Sequence, residues 1–175
     1  MCDGVCCGTI TQSVSIKGNM YKISDKGLEF TAHSEGFEPE VYMDAGHPAI
    51  AYGHDLLPGE SFPDGVTQEE GESILRKDMD KAEEAVNGCV KVPLTQGQFD
   101  ALCDFQFNTG ALEKSTLLKL LNEGKYAAAC GQFYWEDGQC KPHGWIFSKN
   151  PKTGNTEPNP GLIARRKGEQ ELFNS

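Results

Sequence analysis

The sequence predicts an α+β fold that is mostly helical, with a small N-terminal β-sheet lobe and a helical C-terminal lobe. Residues 37–54 are rich in glycine, proline and β-branched or aromatic residues, which is typical of short strands and hairpins. From residue 67 onward, capping motifs precede segments with helical periodicity. The length of 175 residues suits one domain with a sizeable core.

The first helix is predicted between Ser24 and Gly36. Ser24 is a favourable N-cap, and Asp25 places a negative charge in the first turn, where the helix dipole favours it. Gly36 is placed to end the helix. Leu28 and Glu35 are seven residues apart, so they share one face of the helix.

Five helices are predicted after the sheet region. Two of them begin at capping boxes, in which a threonine is followed three residues later by glutamate or glutamine. The predicted segments are 68–86, 98–108, 115–124, 125–135 and 161–173. The glycine- and proline-rich stretch 136–160 is predicted to be an insertion that forms a long loop or a β-hairpin.

Charge and hydropathy exclude several classes of function. The formal net charge of -10 argues against a nucleic-acid partner, which normally requires a basic face. No apolar run approaches the roughly 18–20 residues of a membrane span, so no membrane insertion is expected. Residues 1–19 lack the features of a signal peptide and are predicted to be a flexible N-terminal extension preceding a domain at 20–175, made in the cytoplasm.

The seven cysteines are predicted to be reduced thiols, because their number is odd and no signal peptide is recognised. Cys2, Cys6 and Cys7 form a cluster without the spacing of common zinc sites. No metal and no other cofactor are therefore expected.

Glu35 and Asp44 are the candidate acid and base. At the C-terminal end of a helix the dipole disfavours a carboxylate charge, and a neighbouring Asp44 carboxylate acts in the same direction. Glu35 could therefore stay protonated as a general acid, while Asp44 stays ionised as a base. The alternative is that Glu35 is an ordinary surface residue of the helix and Asp44 a turn former.

A recurrent pattern surrounds the two carboxylates. The residues of this pattern are Glu35, Gly36, Tyr42, Asp44, Gly46, Ile50, Tyr52, Gly53 and His54. In this spacing they resemble the phage-type (T4-like) lysozymes of glycoside hydrolase family 24. Residues 66–79, 85–126 and 161–173 resemble the helical lobe and the last helix of that family.

The resemblance implies an N-acetylmuramidase with a lysozyme-like fold, which would cleave the β-1,4 bond between N-acetylmuramic acid and N-acetylglucosamine in peptidoglycan. It assigns Glu35 as the acid and Asp44 as the residue that assists an attacking water, with inversion expected. Tyr52, His54 and Asn108 are implied as residues that bind substrate or support the site.

Two positions depart from the family pattern, and one of them is Ala51, which stands where glycine is customary. Ala49 stands in place of a threonine whose hydroxyl helps to hold the attacking water, and the preceding loop is one residue shorter than usual. His47 is a candidate substitute for that hydroxyl. The departure leaves a second hypothesis open, a degenerate lysozyme fold that binds glycan or a partner protein without cleaving.

Two biological settings fit the expected activity. The chain could be a monomeric phage endolysin released through a holin, or an antibacterial effector delivered by a secretion system. In either case its partner is the peptidoglycan glycan strand, and it acts on the cell wall in the periplasm after release or delivery.

Overall fold

The computed structural model describes residues 20–44, 46–134 and 144–175. The elements are α1 (Asp25–Glu35), β1 (Glu38–Asp44), β2 (His47–Ala51), β3 (His54–Asp55), α2 (Gln68–Cys89), α3 (Gln96–Thr109), α4 (Thr116–Asn122), α5 (Tyr126–Gly131), β4 (Phe147–Lys149), β5 (Thr156–Pro158) and α6 (Pro160–Phe173). The α+β class and the mainly helical second lobe are confirmed. The predicted extension 1–19 lies outside the described residues.

The helix ends follow the capping signals of the sequence. The Ser24 side chain accepts a hydrogen bond from the Gly27 N–H, and α1 ends at Gly36, whose φ of 79° is left-handed. Both predicted capping boxes, at the starts of α2 and α3, form in both directions. Each such cap contributes about 1 kcal/mol to stability.

Helix α2 links the two lobes. Its 22 residues span roughly 33 Å at 1.5 Å per residue. It contacts β2 and β3 in the small sheet and packs on α3 in the helical lobe. Within the described parts of the chain, no helix has the length and apolar character needed to cross a membrane.

The core of the helical lobe surrounds α3. Phe99, Leu102 and Phe105 on this helix are fully buried, and α6 packs along it. Trp145 packs edge-on against Phe105, with ring centroids 5.2 Å apart. Trp145 therefore contributes to the core rather than presenting its ring face to solvent.

The region between α5 and α6 differs in part from the prediction. Strands β4 and β5 form the hairpin that was one of the two alternatives for 136–160, and residues 135–143 lie outside the described part. The predicted helix at 125–135 is too long, because α5 ends at Gly131 and residues 132–134 are turns. Glycine has a low helix propensity, which explains an end at this point.

Ala51, at the end of β2, carries backbone strain. Its φ of 58° makes it the sole non-glycine residue with a positive φ among those described. A left-handed conformation costs an L-residue roughly 1 kcal/mol, and glycine avoids that cost.

We therefore expect Ala51→Gly to keep or raise the free energy of unfolding, by up to about 1 kcal/mol. Ala49→Gly is the matched control, since Ala49 is equally buried in the same strand but has no positive φ. The control should destabilise by about 1 kcal/mol or more. Equal losses in urea unfolding of the two variants would show that the strain at Ala51 is negligible.

Candidate active site

One face of the small sheet carries the candidate base. Asp44 and His47 are partners across the β1–β2 hairpin, and Tyr42 and Ala49 form the next pair on the same face. Asp44 and His47 are exposed, whereas Ala49 is fully buried. His47 therefore lies directly beside Asp44, and Ala49, which has no polar side-chain atom, lies behind them.

Tyr42 lies on the same face of the sheet as Asp44, and its pKa responds to the charges around it. Burial raises the pKa of Tyr42, and the negative charges of Asp44, Glu38, Glu35 and Asp55 raise it further. The Tyr42 hydroxyl thus lies within the electrostatic field of both candidate catalytic carboxylates. That Glu35 and Asp44 act together as acid and base stays a prediction. Tyr42 matches the family pattern, but no role was predicted for it.

Glu35 is the last residue of α1 and is held by a cation from the other end of the chain. Its Oε1 atom accepts a hydrogen bond of 2.6 Å from Nη1 of Arg165 on α6. The Glu35 side chain is 24% exposed and that of Arg165 only 5% exposed. One side of the carboxyl group is therefore fixed to the protein, while the group still reaches solvent.

Arg165 is itself fixed by Asp104 on α3. Its Nε and Nη2 atoms donate to the two carboxylate oxygens of Asp104 at 2.9 and 2.8 Å. The Thr31 hydroxyl of α1 donates to the same carboxylate at 2.8 Å. Burial alone would raise the pKa of Asp104, but the hydrogen bonds and charge of Arg165 outweigh it, and the pKa is lowered.

This ion pair changes the expected environment of Glu35. The prediction for Glu35 included the helix end and Asp44 but no cation. The structure adds the Arg165 guanidinium in direct contact with the Glu35 carboxyl group. Arg165 thereby links α6 to α1 and α3 through salt bridges, whereas the salt bridge of Arg166 is with Glu169 on α6 itself.

His54 on β3 links the sheet to α2 and to the loop that follows β3. Its Nδ1 atom lies 2.8 Å from a carboxylate oxygen of Asp78 on α2, and its Nε2 atom lies 3.0 Å from Glu60 in the loop after β3. Both ring nitrogens are thus occupied by carboxylates. This arrangement suits a residue that supports the site, and leaves no free ring nitrogen for substrate.

Tyr52 lies in the core of the sheet lobe. It is 5% exposed, and its ring lies 5.3 Å from that of Phe37. With Phe37 it lines a groove of about 970 Å³ between α1, α2 and α6, and the described residues lining this groove include neither Glu35 nor Asp44. Its predicted substrate-binding role rests on the resemblance alone.

Asn108 is exposed near the end of α3. Its side-chain oxygen accepts a hydrogen bond of 3.0 Å from Nη2 of Arg166. That bond fixes the orientation of the amide and leaves its NH₂ group as a donor for another molecule. The predicted role of Asn108 in substrate binding stays a prediction.

Comparison with known protein families gives a match for residues 32–169, which fit the model of the phage lysozyme family. The chain belongs to the phage lysozyme family. It is 40% identical over 156 residues to an endolysin of Acyrthosiphon pisum secondary endosymbiont phage 1, covering 87% of this chain and 98% of that protein.

Solved structures support the same relationship. The muramidase domain of SpmX from Asticaccaulis excentricus has a TM-score of 0.75 and 33% identity, over 89% of this chain and 99% of that chain. An endolysin from Escherichia coli O157:H7 phage FAHEc1 has a TM-score of 0.74 and 31% identity, over 89% and 94% of the two chains. The lysozyme-like fold predicted from the resemblance is thereby confirmed.

The pairing of His54 with two carboxylates predicts how the stability of the protein depends on pH. Partial burial lowers the pKa of His54, but the Glu60 and Asp78 carboxylates outweigh it and raise the pKa above its ordinary value of 6.5. The pairing therefore stabilises the protein fully below about pH 6.5, and the contribution is lost as the pH rises through the raised value.

We expect the free energy of unfolding lost in His54→Asn to be larger at pH 5.5 than at pH 8.5, by at most about 1 kcal/mol because solvent screens the pair. His33 is an exposed histidine on α1, and His33→Asn serves as the control, with equal losses at the two pH values. A loss for His54→Asn that does not change with pH would contradict the pairing.

Proposed function

We propose that this phage lysozyme is an inverting N-acetylmuramidase that hydrolyses the β-1,4 bond between N-acetylmuramic acid and N-acetylglucosamine in peptidoglycan. Glu35 is the general acid and Asp44 the base. The observation that carries the proposal is the position of Tyr42, which lies within the fields of both carboxylates on the sheet face that holds Asp44. Two carboxyl groups facing one substrate are the minimum that glycoside hydrolysis requires.

The ion pair with Arg165 decides which oxygen of Glu35 can act. Arg165 donates to Oε1, so the transferable proton resides on Oε2. When the glycosidic bond breaks, that proton passes to the leaving sugar oxygen, and Glu35 becomes a carboxylate. Arg165 then stabilises the charge that develops on Glu35, because the cation is already in contact with it.

Asp44 supplies the complementary half of the reaction. A water molecule adds its oxygen to the anomeric carbon on the face opposite the leaving group, and Asp44 accepts one proton from it. One bond forms and one breaks at the anomeric carbon, which inverts its configuration. The proton taken by Asp44 equals the one given by Glu35, so solvent exchange restores both groups.

His47 is the candidate that orients the attacking water. It lies opposite Asp44 in the hairpin and is exposed, whereas Ala49 is buried and apolar. We expect His47→Ala to lower kcat about tenfold, or 1.4 kcal/mol at the barrier, without a change in Tm. In the His47→Ala background, Ala49→Ser adds a hydroxyl on the same face and should restore part of the rate. Full activity of His47→Ala would show that another group orients the attacking water.

Product analysis tests the proposal directly. Purified peptidoglycan is digested with the protein, the new reducing ends are identified by mass spectrometry, and their initial anomeric configuration is read by proton NMR. Reducing ends on N-acetylmuramic acid with the α configuration are expected. The β configuration would make Asp44 a nucleophile, and binding to peptidoglycan without new reducing ends would support a degenerate, non-cleaving fold.

The biological role proposed is that of a phage endolysin. The relative from the aphid endosymbiont phage carries that name and matches over nearly its whole length. We propose that the protein acts as a monomer on glycan strands in the periplasm after holin-dependent release, without a nucleic-acid partner or a cofactor. Among the residues that the structure describes, there is no group of three or more His, Cys, Asp or Glu side chains that could hold a metal ion.

A further inference from the structure

A second acidic residue is buried behind the catalytic carboxyl group. Glu169 on α6 is 0% exposed, and its Oε1 atom accepts a hydrogen bond of 2.5 Å from Nη2 of Arg166, which is also 0% exposed. The other oxygen, Oε2, is buried and accepts no hydrogen bond from any described residue. A carboxylate oxygen in this situation loses its hydration without compensation.

Asp104 on α3 is the neighbour of Glu169 that can serve as a partner for its Oε2 atom. The carboxyl groups of Glu169 and Asp104 are within hydrogen-bonding range of each other. Two carboxylates cannot both remain ionised in a dry site at this separation, so one of them must hold a proton. Asp104 is the charged member, because Arg165 donates to both of its oxygens.

Protonation of Glu169 gives its Oε2 atom a partner, whereas the Nε and Nη1 atoms of Arg166 remain buried without a hydrogen bond to any described residue. A proton on Oε2 donates to Asp104, and Oε1 still accepts from Arg166. Burial raises the pKa of Glu169 well above its ordinary range, against the opposing charge of Arg166. Arg166 keeps other favourable contacts, with the Asn108 oxygen at 3.0 Å and the ring of Phe105 at 5.1 Å.

The charged groups that face Glu169 are Arg165 and Arg166 on α6 and Asp104 on α3, and Arg165 links this cluster to Glu35 on α1. With Glu169 ionised, two buried carboxylates, those of Glu169 and Asp104, would lie within hydrogen-bonding range of each other. With Glu169 neutral, Asp104 is the one buried anion among these residues.

We propose that Glu169 is a positioning residue of the acid site, kept as a neutral carboxylic acid that donates a hydrogen bond to Asp104 and thereby fixes Arg165 against Glu35. This inference rests on the proposed role of Glu35. It gives Glu169 two effects on the reaction. Its hydrogen bond holds the guanidinium in place, and its lack of charge keeps the protonation of Glu35 independent of a second buried anion.

Infrared spectroscopy tests the neutral state without reference to activity. The carbonyl stretch of a protonated carboxylic acid should be present in the full-length protein at pH 7, and Glu169→Gln should lose the component that Glu169 contributes. It should persist in Glu35→Gln, which separates the Glu169 proton from any proton on Glu35. A wild-type spectrum that matches the Glu169→Gln spectrum in this region would overturn the proposal.

Kinetics test the positioning role. Glu169→Gln retains a neutral donor, so kcat and the alkaline limb of the pH–rate profile should stay close to wild type. Glu169→Met has similar volume but no donor, and the loosened Arg165 should lower kcat by about tenfold or more. Glu171→Gln, at an exposed site on the same helix, is the matched control and should match wild type.

Two outcomes would contradict the proposal. A shift of the alkaline limb to lower pH in Glu169→Gln would show that the native residue is an anion. A folded Glu169→Met variant with full kcat would show that Glu169 only fills space. If Glu169→Met fails to fold, the spectrum and the Glu169→Gln profile still decide. Failure of the proposed function is distinguishable, because it appears as activity in Glu35→Gln with the Glu169 band unchanged.

Discussion

Glu35→Gln should abolish peptidoglycan hydrolysis while the fold stays intact. The amide has nearly the same shape and can still accept the hydrogen bond from Arg165, but it has no acidic proton for the leaving sugar oxygen. General acid catalysis contributes on the order of 10²–10⁴-fold, and kcat should fall by at least that range. The measurement is the release of reducing ends from purified peptidoglycan, with the circular dichroism spectrum and Tm as checks of folding.

Glu29→Gln provides the control for that experiment. Glu29 lies on the same helix and is exposed, and its substitution should leave kcat unchanged. If Glu35→Gln releases reducing ends as fast as wild type, Glu35 is not the acid. A loss of activity that is accompanied by a large fall in Tm would instead assign Glu35 to the stability of the ion pair.

Arg165→Met should give the largest loss of stability of the variants considered. It removes the cation that compensates Asp104, which is 0% exposed, and also frees the Glu35 carboxyl group. An unpaired buried charge costs about 3–5 kcal/mol, a large fraction of the 5–15 kcal/mol that stabilises a typical domain. Urea unfolding at pH 7 measures the loss.

Two comparisons sharpen this test. Arg76→Met removes a cation from an exposed pair with Asp25 and should change stability by no more than about 0.5 kcal/mol. The double variant Arg165→Met/Asp104→Asn also removes the buried charge of Asp104 and should recover part of the lost stability, but not the activity. If Arg165→Met and Arg76→Met cost the same, the buried pair adds nothing beyond an exposed one.

Features determined by neighbours in sequence were predictable. The caps at Ser24, Thr67 and Thr95 depend on residues within three positions, and each was predicted and forms. The sheet at 38–55 was predicted for the same reason, because its turns are built from local glycine and proline. The end of α5 was missed, since three alanines favour a helix that later residues do not continue.

Features determined across the chain were not predictable from residue types. That Arg165 is charged is evident from the sequence, but its choice of Asp104 and Glu35 depends on how α6 crosses α3 and α1. The partners of His54 depend equally on the packing of β3 against α2. The left-handed backbone at Ala51 was also missed, although glycine at this position in the family pattern was a signal for it.

The distance along the chain between Glu35 and Arg165 has a consequence for synthesis. The two residues are 130 positions apart, and at roughly 5–20 residues per second the ribosome needs on the order of 10 s to cover that interval. During this time α1 and the sheet have left the ribosome, but the guanidinium that holds the acid has not been made. A nascent chain that stops before residue 165 therefore lacks the ion pair that holds the Glu35 carboxyl group in place.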